Sequence, residues 1–333
     1  MRLSIDLTEA WHRLVARGAM KNTFHDAAGR RIEAGVRLGD HGPESYAIAT
    51  DTGESVCQGA EWSGLESGME ILYNPVGGLK PHTRPAKAGR QPDIPADAAA
   101  CPLACQDPGN ALSILRRSAL VEMPCPVRRW RAYPNVAPWE ARGILIWLPC
   151  PADDTASSLP HLPQLLGRPE LEDFLAIARS ATGITTFFNS LHGGASANHL
   201  HFQGVYCDHA MAAECAQTVS NGRYTFLANY AASGLVFPLD VPALTLWEPV
   251  RRIQEAGYPF NLIALSTAIF LFVRDPRHEI LEEFPGRAFG AINLAGLFIT
   301  SDPEERKRIS DRTIAAAFAK LTVGGEPLKA LFD

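Results

Sequence analysis

The sequence predicts an α+β protein in which helices pack against an antiparallel sheet. Short runs of β-branched and aromatic residues follow one another with only brief loops between them, as the strands of an antiparallel meander do. Helical patterns occur singly rather than after every strand. The 333 residues are 46% hydrophobic and 20% charged, a composition that supplies a sizeable core and excludes a disordered chain.

The elements can be assigned in chain order from their local patterns. Apolar runs bounded by Gly, Pro, Asn or Ser predict strands, and apolar residues at spacings of three and four predict helices. The predicted strands are Ser45–Thr50, Met69–Tyr73, Ala119–Met123, Ile144–Leu148, Ile184–Phe188, His199–Tyr206, Phe260–Leu265 and Ala268–Val273. The predicted helices are 169–178, with Pro169 in the first turn, His209–Val219, Leu246–Glu255 and Pro303–Lys320.

Charge and local hydropathy exclude several classes of protein. Acidic residues outnumber basic ones 36 to 31, which disfavours binding to nucleic acid or to an anionic membrane surface. Residues 1–18 contain no apolar segment typical of a signal peptide, and seven cysteines, an odd number, indicate reduced thiols. The segment Tyr258–Val273 is too short and too polar to span a membrane. We therefore expect a cytoplasmic protein with no membrane or nucleic-acid partner.

The predicted strand His199–Tyr206 carries the side chains that are most informative about chemistry. Side chains alternate between the two faces of a strand, so His199, His201 and Gln203 should share one face while the intervening Leu and Phe enter the core. Two imidazoles and an amide on one face of a half-buried strand are typical of an active-site wall.

A loop of small residues precedes this strand. Residues 192–198 read HGGASAN, in which Gly193 and Gly194 permit close approach of backbone N–H groups to a ligand and Ser196 adds a hydroxyl. Asn189, at the end of the preceding strand, is a further donor. A neutral imidazole beside several oxyanion donors is the combination that phosphoryl or nucleotidyl transfer requires.

These residues carry a resemblance to a known family. The alternation of His with hydrophobic residues, after Asn and Gly-Gly-x-Ser, resembles the histidine-triad superfamily, and Gln203 in the third place resembles its transferase branch. That branch contains galactose-1-phosphate uridylyltransferase, diadenosine tetraphosphate phosphorylases and GDP-sugar phosphorylases, and NHLHFQ is especially similar to the last. The resemblance implies an enzyme that cleaves a nucleotide sugar or a dinucleoside polyphosphate at the α-phosphate and passes the nucleotidyl group to inorganic phosphate or a sugar phosphate.

The resemblance also implies a role for each residue of the motif. His201 would be the nucleophile that forms a covalent nucleotidyl–histidine, with its other ring nitrogen held by a backbone carbonyl. Gln203 would bind the phosphoryl oxygens, and His199 would shape the loop. Because an amide neither donates nor takes up a proton near pH 7, a phosphorylase or transferase is favoured over a hydrolase. The phosphates would be held by Ser196 and by the Gly193 and Gly194 amides, and Asn189 would support them.

The first half resembles the same branch more faintly. MEILYNP at 69–75, followed by Lys87, is similar to the first segment that members of this branch share. Asn135, which precedes ILIWLP, is similar to a residue of their nucleotide-contacting strand pair. Lys87 and Asn135 are therefore candidate substrate-binding residues. The chain departs from its relatives at three positions, with Gly143, Ala137 and Asn293 in place of a histidine, an aromatic residue and an acidic residue.

The resemblance implies two histidine-triad-like halves. We expect a degenerate N-terminal half at 1–165, without a catalytic histidine, and a C-terminal half at 166–333 that carries the motif. The first half includes a connector rich in Pro, Gly and Ala at 76–110, and long loops of this kind are usually functional or mobile. The oligomeric state is open, although related enzymes are often homodimers.

The two histidines have alternative interpretations. A His-x-His strand is also how β-rich metal enzymes present two ligands, with His209, Cys207 or His192 as a third. The pair can also be structural, or belong to a nucleotide-binding protein without turnover.

No metal ligands or cofactors are predicted from a clear site. Cys101 and Cys105 lie where relatives often carry Cys-x-x-Cys, sometimes with zinc, but they are separated by three residues and have no second pair. We interpret them as ordinary thiols. Mg²⁺ or a structural zinc stays open as an alternative, without a clear site to hold it. Arg274 is a further candidate for phosphate binding, and its alternative partner is the adjacent Asp275.

Overall fold

The structure, a computed structural model, describes most of the chain and allows every element near the predicted motif to be placed. Of the predicted site residues, Lys87 lies outside the described residues. The described residues are 5–18, 20–25, 29–57, 60–76, 88–107, 119–135, 141–151, 158–285 and 288–333.

The secondary structure of these residues is mixed. The helices are α1 Leu7–Ala16, α2 Arg168–Ser180, α3 Ala212–Cys215, α4 Ala243–Glu255, α5 Ala291–Ala295, α6 Pro303–Arg308, α7 Asp311–Leu321 and α8 Gly325–Phe332. The strands are β1 Ile5–Asp6, β2 Lys21–His25, β3 Arg31–Gly39, β4 Gly42–Ala49, β5 Ser55–Cys57, β6 Glu61–Gly64, β7 Glu70–Tyr73, β8 Val121–Pro124, β9 Arg129–Pro134, β10 Ile144–Pro149, β11 Ala181–Thr182, β12 Ile184–Asn189, β13 Phe202–Tyr206, β14 Gln217–Ser220, β15 Thr225–Ala228, β16 Gly234–Pro238, β17 Phe260–Ala264, β18 Ala268–Val273 and β19 Leu297–Thr300.

A sheet of ten antiparallel strands organises the fold, in the order β14-β15-β16-β18-β17-β12-β13-β10-β9-β8. Helices pack on the sheet, so the predicted α+β class is confirmed. The strand β13 follows the two histidines and lies between β10 and β12, where both of its edges are paired. The sheet joins strands from both sides of residue 165, and the division of the chain into two similar halves stays a prediction.

The sheet buries apolar residues on both faces. On one face, Phe202 stacks on Trp130 with ring centroids 4.4 Å apart, and this cluster includes side chains of α1, α2 and α4. On the other face, Phe187 and Ile263 belong to a cluster that includes α5 and α7. Burial of a large apolar side chain contributes about 1.5–3 kcal/mol, so these two layers hold the central strands rigidly in place.

Smaller sheets account for most of the first 76 residues. β2, β3, β4 and β5 form an antiparallel sheet, and β6 and β7 join β19 in a second one. β19 runs parallel to β7, which attaches the N-terminal region to a strand near the C-terminus.

Several predicted elements are confirmed. The apolar segment Tyr258–Val273 contains two adjacent strands, β17 and β18, paired with each other. Pro169 lies in the first turn of α2, where a missing N–H costs no hydrogen bond. No helix within the described ranges has both the length and the apolar character needed to cross a membrane.

Three predicted elements need correction. The predicted helix His209–Val219 is only the four residues of α3, because the following residues form β14 and pair with β15 at the sheet edge. The predicted helix Pro303–Lys320 is divided into α6 and α7, because the side chain of Ser310 accepts the Thr313 N–H and caps a new helix. The predicted strand at His199 begins only at Phe202, so the two histidines lie in the loop that leads into it.

Candidate active site

The His201 ring is held in one tautomer by the backbone. Its Nδ1 lies 2.7 Å from the carbonyl oxygen of His199, as the sequence analysis expected. A carbonyl can only accept a hydrogen bond, so Nδ1 carries the proton and Nε2 keeps its lone pair. Burial lowers the pKa of His201, against the carbonyl contact that raises it. The ring is therefore a neutral imidazole with an unprotonated Nε2, as a nucleophile must be.

Gln164, which has no signal in the sequence, fixes the backbone of His201. Its Oε1 accepts the His201 N–H at 2.9 Å, and its Nε2 donates to the carbonyls of His201 and Asn189 at 3.2 and 2.8 Å. The residue is 3% exposed and lies in the loop before α2. One buried amide thus ties the end of β12 to the segment that carries His201. A glutamine in a proline- and leucine-rich loop gives no sequence signal for this role.

Gln203 lies on β13, two residues after the nucleophile, and is half-buried. It is paired with Ile146 on one side and Phe187 on the other, which places these three side chains on the same face of the sheet. Leu200 and Phe202 are 1% and 0% exposed in the core on the opposite face, so the predicted apolar alternation is observed.

In the loop between β12 and β13, the two glycine N–H groups that were expected to bind a ligand differ in their hydrogen bonds. The Gly193 N–H donates to the Ser190 carbonyl at 3.0 Å, so it is not available for a ligand in this conformation. Gly194 has φ +100°, a backbone conformation that favours glycine, and its N–H has no hydrogen-bond partner among the described residues. Ser196 is exposed. The structure therefore offers Gly194 and Ser196, rather than Gly193, as donors.

Asn189 is buried, and its amide oxygen is used inside the protein. Oδ1 accepts from Asn261 Nδ2 at 2.7 Å and from the Ala291 N–H at 2.8 Å. The side chain therefore links β12 to β17 and to the start of α5. A role of Asn189 in supporting the loop fits these contacts.

Arg274 is completely buried and is not paired with Asp275. The Arg274 Nη1 atom donates to Asn261 Oδ1 at 2.9 Å, and Asp275 is bound instead by Arg277. The sequence alternatives for Arg274 were a phosphate or Asp275, and the structure excludes the second.

Asn135 lies at the far end of the neighbouring strands. Its N–H donates to the carbonyl of Ile144, which pairs with Val205. Val205 is four residues beyond His201, or about 13 Å along an extended chain. Asn135 is thus not brought next to the nucleophile, and its predicted contact with the nucleotide stays a prediction.

His192 connects the glycine loop to the segment 88–99. Its Nδ1 lies 2.9 Å from Glu279 Oε2, and its Nε2 lies 2.9 Å from Asp93 Oδ1. In the same region, Asn198 Nδ2 donates to the Ile94 carbonyl at 2.8 Å. Part of the predicted functional connector therefore lies directly against the loop that precedes the nucleophile.

A second group of side chains lies beside the nucleophile. Cys101, Cys105, His161 and His199 each present one ligand atom, and these atoms all lie within 4.8 Å of one another. Sγ of Cys101 is 3.3 Å from Nδ1 of His199, and Sγ of Cys105 is 3.5 Å from Nδ1 of His161. In a tetrahedral zinc site, with bonds of about 2.0–2.3 Å, neighbouring ligand atoms lie about 3.3–3.8 Å apart.

The chemistry of this cluster fits a zinc ion. Two thiols and two imidazoles are a common structural zinc set, and a spacing of three residues between cysteines lies within its usual range. The Nε2 atoms of His161 and His199 are buried without a hydrogen-bond partner in the described part of the chain. Burial, with a smaller effect of the neighbouring imidazoles, lowers the pKa of His199 to about 3, so this ring is neutral and able to ligate.

This cluster corrects two parts of the sequence interpretation. Cys101 and Cys105 are not isolated thiols, because the fold brings them to His161 and His199. The alternative metal site with both motif histidines is not formed, since His201 does not belong to the cluster and His209 instead contacts Glu70. His161 was missed because it lies 56 residues beyond Cys105, with no local pattern to connect them.

Comparisons with known proteins give a similarity of fold. No family model matches the sequence, and no curated protein has a significantly similar sequence. A crystal structure of the yeast Ap4A (diadenosine tetraphosphate) phosphorylase Apa2 is similar with a TM-score of 0.54 and 11% identity, over 96% of this chain and 95% of that chain. The complex of Apa2 with AMP is similar with a TM-score of 0.51 and 10% identity, over 80% and 89%. The chain therefore shares its overall fold with this phosphorylase, and the predicted α+β architecture is confirmed.

Proposed function

We propose that this protein is a nucleotidyltransferase of the phosphorylase type, with a dinucleoside polyphosphate as substrate. The observation that carries the proposal is the His201 ring, whose Nδ1 is bound to the His199 carbonyl so that Nε2 is left as the nucleophile. The similarity of fold to an Ap4A phosphorylase supports the choice of substrate class. Nucleotide sugars are the second substrate class, because the motif NHLHFQ resembles GDP-sugar phosphorylases.

In the first step, the lone pair of His201 Nε2 forms a bond to the α-phosphorus. The bond from that phosphorus to the bridging oxygen breaks, and the oxygen leaves with its electron pair on the nucleoside polyphosphate. The Nδ1 proton stays on the ring, and its hydrogen bond to the His199 carbonyl stabilises the positive charge that develops there. The product is a nucleotidyl–histidine.

In the second step, an oxygen of inorganic phosphate attacks the α-phosphorus and the bond to Nε2 breaks. The electron pair returns to the ring, and a nucleoside diphosphate leaves. Phosphate is already anionic and needs no strong base, whereas water does. Gln203, on β13 beside the nucleophile, is an amide that cannot accept that proton, which favours phosphate over water as the acceptor.

The zinc ion, if bound by Cys101, Cys105, His161 and His199, supplies structural cross-linking rather than chemistry. These four residues come from the connector, the loop before α2 and the segment before β13. His199 would then fix, through its backbone carbonyl, the ring of the nucleophile. The protein residues perform every chemical step described above.

An exchange assay tests this function. The protein is incubated with diadenosine tetraphosphate, GDP-hexose or UDP-hexose, together with phosphate or a hexose 1-phosphate, and the nucleotides are separated by chromatography. The proposal predicts ATP and ADP from diadenosine tetraphosphate and phosphate, and no products with His201→Ala. Absence of nucleotide products with every pair of substrates would refute it.

A further inference from the structure

The peptide group between Gly193 and Gly194 is held by its carbonyl side. The Gly193 oxygen accepts from Asn261 Nδ2 at 2.5 Å and from Arg274 Nη1 at 3.3 Å. Asn261 lies on β17 and Arg274 directly follows β18, so both donors are held in place by the central sheet. The carbonyl therefore points into the protein interior.

The orientation of the carbonyl determines the orientation of the next N–H. In a trans peptide, the C=O of one residue and the N–H of the following residue point in opposite directions, and no cis peptide occurs in the described chain. Since the Gly193 carbonyl points inward, the Gly194 N–H points away from the buried network. It has no hydrogen-bond partner among the described residues, so it is free to donate to a ligand.

This orientation is also maintained by steric contact. A Cβ atom at Gly194 would lie 2.8 Å from the carbonyl oxygen of Phe289. The same oxygen accepts from Arg274 Nη1 at 2.5 Å. One guanidinium nitrogen therefore links the glycine loop to the segment before α5, and this packing requires glycine at position 194.

Arg274 is an unusual residue to find in such a place. It is 0% exposed, and its hydrogen bonds within the described residues go to uncharged oxygens, including the Leu321 carbonyl, which accepts from Nε at 3.0 Å. Its Nη2 atom is buried with no hydrogen-bond partner in the described residues. Burial lowers the pKa of Arg274 to about 10, and the charge of the buried Glu279 carboxylate opposes this effect. The direct hydrogen bonds of Arg274 go instead to backbone and amide oxygens, which it holds in place.

The loop and the nucleophile are close in space. Gln164 Nε2 contacts both the Asn189 and the His201 carbonyls, and Asn189 Oδ1 accepts from the same Asn261 nitrogen that binds Gly193. Four hydrogen bonds, through Asn261, Asn189 and Gln164, therefore connect the Gly193 carbonyl to the backbone of His201.

We propose that Arg274 is a positioning residue that, with Asn261, holds the Gly193 carbonyl inward and thereby turns the Gly194 amide outward, as a donor to the phosphoryl oxygen of a nucleotide beside His201. This inference rests on the proposed function, because the ligand is the α-phosphate of the same substrate. Arg274 acts through the peptide group and does not touch the phosphate.

The test follows the Gly194 amide directly by NMR. Labelling with glycine that carries ¹³C at the carbonyl and ¹⁵N at the amine leaves three Gly-Gly pairs visible in an HNCO spectrum, at 77–78, 193–194 and 324–325. The variants Gly77→Ala and Gly324→Ala assign the three signals by elimination. AMP is the probe, added to saturation as judged by calorimetry.

In the wild-type protein, AMP should move the Gly194 amide proton downfield while the 324–325 signal stays fixed. In Asn261→Asp, the new carboxylate cannot donate to the Gly193 carbonyl but can still accept from Arg274, so the protein should fold and the downfield shift should be lost. Arg274→Met should lose the shift too, and Arg274→Lys should retain part of it. Arg277→Met is the matched control and should behave as wild type, because Arg277 is exposed and its side chain contacts Asp275.

Turnover provides a second measurement on the same variants. Loss of one oxyanion donor typically lowers kcat ~10²–10³-fold, so Asn261→Asp should lose this factor in kcat with little change in KM. If AMP binds and the wild-type protein turns over, but the Gly194 signal does not move or moves equally in Asn261→Asp, the inference is wrong and the proposed function stands. If AMP does not bind but the exchange assay gives products, the inference is wrong and the proposed function stands. If AMP does not bind and no pair of substrates gives products, both are wrong.

Discussion

The carbonyl oxygen of His199 accepts a hydrogen bond from Nδ1 of His201 at 2.7 Å. The side chain of the same His199 lies in the cluster with Cys101, Cys105 and His161. One residue therefore faces the proposed zinc ion through its ring and the proposed nucleophile through its backbone. Any displacement of this residue changes both sites.

Removal of a metal ligand should therefore affect the nucleophile. We expect Cys105→Ser to lose the stoichiometric zinc of the wild-type protein, to unfold at a lower temperature and to form the nucleotidyl adduct more slowly. Elemental analysis, thermal unfolding and adduct kinetics measure the three effects. Cys215→Ser, at an exposed cysteine outside the cluster, is the control. Wild-type protein without metal would refute the zinc assignment.

Gln164 should contribute to stability through its buried amide. In Gln164→Ala, the His201 N–H and the carbonyls of His201 and Asn189 lose their partner. Leaving a buried polar group unsatisfied costs about 1–3 kcal/mol. We therefore expect the free energy of unfolding, measured in urea, to fall by an amount in this range. Gln254→Ala, which removes a single bond to the Leu166 carbonyl, should cost less. Equal losses in the two variants would contradict the role of Gln164.

Gln203 should control the choice between phosphate and water. An imidazole at this position can take up a proton, so Gln203→His should increase hydrolysis of the nucleotidyl–histidine by at least ~10-fold. The ratio of nucleoside monophosphate to diphosphate among the products measures this partition. An unchanged ratio in a variant that still forms the adduct would show that the amide does not decide the acceptor.

His209 gives a dependence of stability on pH. Its Nδ1 contacts Asp208 at 3.0 Å and its Nε2 contacts Glu70 at 2.7 Å, and the hydrogen bond to Asp208 is the main cause that raises its pKa above 6.5. Because the pKa of His209 is higher in the folded than in the unfolded protein, the protonated ring stabilises the fold. This stabilisation is complete below pH 6.5 and is lost as the pH rises through the pKa of the folded state. The wild-type melting temperature should therefore fall more between about pH 6 and about pH 9 than that of His209→Gln. The exposed His12→Gln should follow the wild type, and parallel curves for all three proteins would contradict the assignment.

Some elements could be predicted from the sequence because their signal is local. Strand β18 is a continuous apolar run, and β12 and β17 consist mainly of β-branched, aromatic and aliphatic residues, as strands buried on both faces of a sheet require. The motif from His199 to Gln203 was found for the same reason, since its alternation is visible within five residues.

Other features depend on contacts that are distant in the sequence. The edge strand β14 was assigned to a helix, because its four exposed residues have no apolar alternation and form a strand only by pairing with β15. The zinc cluster combines residues that lie up to 98 positions apart, as Cys101 and His199 do. The availability of Gly194 rather than Gly193 depends on donors from β17 and the end of β18, which no local pattern shows.

The most direct test of the account is to trap the covalent intermediate. The protein is mixed with diadenosine tetraphosphate labelled at the α-phosphate, quenched in alkali, where a phosphorus–nitrogen bond to histidine survives, and digested for mass spectrometry. We predict label on His201 in the wild type and in His209→Ala, and none in His201→Ala, which should still bind nucleotide. Label on another residue, or turnover of the wild-type protein with no labelled histidine, would contradict the account.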